Sequence, residues 1–173
     1  RYPDNLGEGR LPGQTDNDIW YLLGYCAEQA GDAQQAAEYY QLALQGGSTL
    51  DAGRYYNDQP ADYLFWQGIA LRKSGNSAQA EQHFHSFIVW AAQHRDDVPQ
   101  ADFFAVSLPD LVVLDVSAQQ LHRQHCLFIE ALGYLGLGNQ PASQKAMQQL
   151  LQINPVHDKA HLIQHALQSG IFS

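Results

Sequence analysis

With 173 residues, of which 45 % are hydrophobic, the chain is long enough for one domain with a sizeable core. Its formal charge is −9 with only nine Lys and Arg. It therefore lacks the cations that nucleic acid or an anionic membrane surface would require, and both are set aside as partners. No stretch approaches the roughly 18 uninterrupted apolar residues that cross a bilayer.

From Arg1 to Gly13 the chain is rich in Gly and Pro, has no period and carries no apolar core of a signal peptide. This stretch (1–15) reads as a linker or extended arm of something longer, leading into one helical domain over 16–173. Asp16 or Asp18 is expected to cap a first helix that runs to about Ala30 and ends at Gly31. Asp32 starts a second helix, which runs to about Gln45 before Gly46-Gly47 stops it. A third is expected over 61–73 and a fourth over 77–94. Ser117 is the expected N-cap of a long fifth helix ending near Leu137. Asn139 opens a sixth, and Asn154-Pro155 separates it from a seventh that runs to about Ser169 and serves as a cap.

One frame occurs three times. The first copy reads Trp20-x2-Leu23-Gly24, Gly31, Ala36-x3-Tyr40 and Ala43. The second reads Leu64, Gly68, Gly75 and Ala80-x3-Phe84, and the third Leu127, Ala131, Tyr134, Gly138 and Ser143-x3-Met147, ending at Pro155. This order and spacing resemble the tetratricopeptide repeat, a helix–turn–helix unit of about 34 residues. The resemblance implies an all-α, right-handed TPR-like solenoid of three helix pairs over about 17–50, 61–94 and 124–155, plus a capping helix at 156–169. It also implies an interaction surface, because stacked pairs form a concave face that binds a partner.

The spacing departs from that family. About 44 residues separate Gly31 from Gly75 and about 63 separate Gly75 from Gly138, against about 34 in the repeat. The two insertions carry Tyr56, Asp58 and Asp62, and then Asp102, Phe103, Phe104 and Val106. Insertions of this length in an array often hold the binding role.

In the tetratricopeptide family the first helix of each pair lines the groove at its second, fifth and ninth positions. Here those are Asp18, Tyr21 and Tyr25; Asp62, Phe65 and Ile69; and His125, Phe128 and Leu132. The Lys, Arg and Asn with which some family members clamp acidic chaperone tails are missing. An aromatic and aliphatic groove with an acidic rim suits an apolar helix or extended segment. Either that groove is open or residues 95–116 of the chain itself fill it.

The blocks Tyr56–Asp62, Asp102–Asp110 and Ala131–Gly138, with the opening Tyr2–Gly9, also resemble the helical C-terminal region of large bacterial proteins. Those proteins are similar to carbohydrate-active enzymes and carry a β-sandwich domain before the repeats. That resemblance implies docking against a neighbouring domain or subunit.

Chemistry within the chain is weakly signalled. Asp58, Asp62, Asp102 and Asp110 could offer a carboxylate pair, but acidic residues at such places more often cap helices and form turns. Cys126 and His125 are adjacent on a helix and point about 100° apart, which does not make a dyad. Cys26 and Cys126 both read as buried free thiols, suited to a reducing, cytoplasmic compartment. His157, His161 and His165 recur at metal-chelating spacing beside Asp158, yet they also read as the polar face of a capping helix. No cofactor or metal is expected. The reading is a non-catalytic module that docks a protein partner, probed at Tyr21, Tyr25, Phe65, Ile69, Phe128 and Leu132 and at insertion residues Tyr56, Asp58, Asp62, Asp102 and Phe104. Two alternatives are an adaptor for an apolar peptide in trans and a donor of acidic residues to a neighbouring glycosidase site.

Overall fold

A computed structural model describes residues 15–50, 61–97 and 118–168. Among them are seven helices, α1 (Asn17–Gln29), α2 (Ala33–Leu42), α3 (Ala61–Lys73), α4 (Ser77–His94), α5 (Ala118–Gly136), α6 (Gln140–Ile153) and α7 (Asp158–Gln168). The fold is all-α and TPR-like, as the repeated frame requires. The chain divides into two compact units at Phe84/His85, within α4.

The recurrent glycines explain the turns. Gly31, Gly75 and Gly138 have φ of 82°, 82° and 75°, a left-handed backbone that side chains with a Cβ rarely adopt. Each closes its helix with the same pair of bonds, from the glycine N–H and from the next residue's N–H. After α1 these are Gly31 N to Glu28 O at 3.0 Å and Asp32 N to Ala27 O at 2.9 Å. The residue after the glycine then opens the next helix. Asp32 accepts from Gln35 N at 3.0 Å and Asn139 from Ala142 N at 3.2 Å.

The other frame positions set how closely the paired helices approach. A Cβ on Gly24 would lie 2.6 Å from the Tyr40 ring, and one on Gly68 only 2.4 Å from the Phe84 ring. Each glycine thus makes room for the aromatic of its partner helix. In the third pair Ala131, Ser143 and Met147 are buried, and Ser143 Oγ donates to Ala131 O at 2.8 Å.

In the first unit, α1 packs against both α2 and α3. Tyr21 sits between Tyr40 and Trp66, at ring separations of 5.4 and 5.3 Å. The fully buried Asn17 donates to Ala43 O at 2.7 Å and Gln45 O at 2.8 Å, while the Thr15 hydroxyl donates to Asn17 Oδ1. Gln67 of α3 also donates to Gln45 O, at 2.7 Å. Carbonyls that the end of α2 leaves without helical partners are thereby satisfied by side chains. In the second unit, His122 Nε2 donates to His94 O at 2.5 Å, Arg95 pairs with Glu130 at 2.8 Å, and the His94 ring stacks on Trp90 at 4.5 Å.

Three expectations are corrected. Asp16 occupies the N-cap of α1 but its side chain makes no capping bond, since the buried Thr15–Asn17 pair anchors that end. Helix α2 stops at Leu42, three residues early, where Leu44 N and Gln45 N shift to i−3 bonds and tighten the last turn. Cys26 is exposed rather than buried, because it faces away from the stripe of Tyr21, Gly24 and Ala27 that packs inward. Cys126 is buried, and both thiols are free. Ser117 and the insertion residues Tyr56, Asp58, Asp102, Phe104 and Asp110 lie outside the described residues.

Candidate functional site

Asp18 and Asp62 stand in the first turns of α1 and α3, where the positive end of the helix dipole favours an acid. One turn on, Tyr21 and Phe65 point inward, and a further turn brings Tyr25 and Ile69. Tyr21, Phe65 and Ile69 are buried, Phe65 packing on Trp66 and Phe84 at ring separations of 5.9 and 5.8 Å. Their surfaces are taken up by helix packing. In the second unit Phe128 and Leu132 are likewise buried, and Phe128 meets the His157 ring at 5.2 Å. Tyr25, Asp18, Asp62 and His125 remain half-exposed. Of the positions assigned to a groove, these four can offer surface to a partner.

Asp18 is electrostatically unsettled. Its carboxyl is held above the usual carboxylate range, chiefly by burial and further by the charges of Asp62 and Asp16. Its Oδ1 is buried and has no hydrogen-bond partner among the described residues. At the other end of α1, Glu28 is held below its ordinary value by the Tyr40 hydroxyl, which donates to it at 2.6 Å, and by Lys73 at 3.1 Å. That trio ties the ends of α1, α2 and α3 together. Burial and the Glu28 contact push the Tyr40 phenol up, so it stays a donor.

The signals at Cys126, His125, His157 and His161 resolve into packing and capping. The neighbour of Cys126 is His122, one turn back, with Sγ and Nε2 3.5 Å apart, and His122 spends its proton on His94 O. His125 instead lies edge-on to Trp90 at 5.6 Å. His157 Nδ1 accepts from Ala160 N at 3.1 Å and so caps α7, while His161 Nε2 donates to Pro155 O at 2.8 Å. Among the described residues no three His, Cys, Asp or Glu side chains gather as metal ligands would. Sequence reasoning missed Asn17, Thr15 and Gln67. Their signal was a polar residue at the start or on the buried side of a helix, which reads on paper as ordinary surface.

Residues 14–52, which include α1 and α2, match the family described as tetratricopeptide repeat. No solved structure matches the chain. Tetratricopeptide repeats mediate protein–protein interaction and are not catalytic units. Among the described residues no helix is long and apolar enough to cross a membrane.

Proposed function

We propose that the chain is a non-catalytic docking module that holds a protein partner, a neighbouring domain or a subunit, against the half-exposed edge formed by Asp18, Asp62 and Tyr25. The observation that carries this reading is Asp18. A half-buried carboxylate crowded by two other acids, with one oxygen unbonded among the described residues, lowers stability in the isolated chain. A partner that supplies a hydrogen-bond donor or a cation would relieve it. Because Tyr21, Phe65, Ile69, Phe128 and Leu132 are buried, a polar or basic contact at this edge fits better than an apolar helix lying along them. The sequence blocks around Tyr56 and Phe104 support placing the module in a carbohydrate-processing protein, packed against another of its domains.

The test is the Asp18→Asn/Asp62→Asn double variant. It should melt higher than the parent at pH 7 and retain less partner in co-purification from the native source. Unchanged partner retention, with the stability gain present, would reject this edge as the docking site.

A further inference from the structure

The start of α7 is held differently from the starts of α2 and α6. Asp32 and Asn139 cap those helices with side-chain oxygens, which stay acceptors throughout the neutral range. At α7 the cap is the His157 ring, whose Nδ1 accepts from Ala160 N at 3.1 Å. A ring nitrogen accepts only through its lone pair, so this bond requires neutral His157 with its proton on Nε2. The proton that makes the imidazolium goes to Nδ1 itself, and the acceptor becomes a donor facing another donor. Neighbouring bonds do not share this weakness. Asp158 Oδ1 accepts from Lys159 N at 2.7 Å, and His161 Nε2 donates to Pro155 O at 2.8 Å whether or not its ring is charged.

Three features make α7 depend on that one bond. It has 11 residues, fewer than the roughly 12–15 at which an isolated helix is even marginal in water. Ala160 is fully buried, so an N–H released there meets little solvent that could replace the lost acceptor. A cation at a helix start also opposes the helix dipole. The charges acting on the His157 ring are Asp158, which favours the cation, and Lys159 and His161, which oppose it. From α5 the ring meets uncharged Phe128 at 5.2 Å. Burial outweighs Asp158 and holds His157 below the ordinary 6.5.

We infer that His157 makes α7 a proton-released cover: when the ring takes up a proton, α7 comes away while α5 and α6 stay paired. Release uncovers Phe128, Ala160 and Ile163, which are buried while α7 is seated. The α5–α6 pair keeps its own tie, the bond from Ser143 Oγ to Ala131 O at 2.8 Å, and neither group titrates. The sign follows from the bond. The contribution of His157 is complete above pH 6.5 and is lost as pH falls below it, because the released helix binds the proton more readily than the seated one. This device lies in the second unit and does not rest on the function assigned to the Asp18–Asp62 edge.

The experiment is amide hydrogen exchange on the full chain at about pH 7.5 and about pH 5, corrected for the pH dependence of intrinsic exchange and read as protection of α7 against α6. Uptake of one proton on release sets a limit of about tenfold loss per pH unit below 6.5. Protection of α7 should fall at the lower pH by at least about threefold more than that of α6. His157→Asn, which offers an oxygen acceptor at the cap, should make α7 protection the same at both pH values, and His161→Asn should leave the fall in place. Unchanged α7 protection in the parent would overturn the inference, as would an equal loss in α6 and α7 or a fall that survives in His157→Asn. Because that variant also gives up the ring contact with Phe128, the tautomer supplies a check in the unaltered chain. Nitrogen NMR of the His157 ring at neutral pH should show Nε2 protonated and Nδ1 bare, and a proton on Nδ1 there would likewise overturn the inference.

Discussion

Asp18 costs the isolated fold stability at neutral pH, and the sign can be worked out. Its folded pKa lies above the ordinary 3.8, so the folded state prefers the protonated acid. Stability from this group is present at low pH and is lost as pH rises through 3.8 and the folded value. Asp18→Asn should therefore raise the melting temperature at pH 7 by a few degrees and have no effect near pH 3, which thermal melts at the two pH values check. His83 and His157 run the other way. Burial holds both below the ordinary 6.5, and His83 donates its Nε2 proton to Leu64 O at 2.8 Å while neutral. Their contribution is complete above pH 6.5 and falls as pH drops below it. Urea midpoints at pH 7.5 and 5.5 should show that loss, and His83→Gln/His157→Asn should shrink it. None of these three roles was legible in the sequence, because each depends on burial and on a neighbour from another helix. What was legible at this scale was which face Asp18, Tyr21 and Tyr25 share. How deep that face lies was not, since Tyr21 gains its cover from Tyr40 and Trp66, 19 and 45 positions along the chain by number.

Between helices, the spacing of small and aromatic residues carried most of the information. Gly31, Gly75 and Gly138 were readable as helix stops because few other residues tolerate their backbone. Gly31 has open space around its missing Cβ, so Gly31→Ala should cost only the backbone term, about 1–2 kcal/mol. Gly68→Ala meets the Phe84 ring, which is wedged between Phe65 and the Arg72 guanidinium at 5.6 Å from its centroid. That substitution should cost about 1–3 kcal/mol through overpacking, and Phe84→Leu should recover part of it. Asn17→Ala should cost about 2–3 kcal/mol by leaving the Ala43 and Gln45 carbonyls short of a donor. Chemical denaturation of the three variants checks all of these values. Asn17 escaped sequence reading because an Asn at a helix start looks like a cap. Here it instead reaches across to the far end of the next helix.

At the scale of the whole molecule, the TPR-like, all-α architecture followed from three copies of one frame, although the family match itself spans only residues 14–52. The later copies are diluted by insertions and by substitutions such as Ser143 and Met147 for Ala and an aromatic. Each copy keeps the small-residue contact and the closing turn, which packing demands, while the rest of its surface is free to vary. That freedom is why the fold could be read from the sequence and the partner could not. The claim that this chain docks a protein at the edge of α1 and α3 is tested most directly by a photo-crosslinking residue in place of Tyr25, with one at exposed Glu38 on α2 as the control. Irradiated in its native extract, the Tyr25 variant should give one discrete protein adduct that Asp18→Asn/Asp62→Asn weakens and that Glu38 does not give. No adduct at Tyr25, or the same products from both positions, would contradict it.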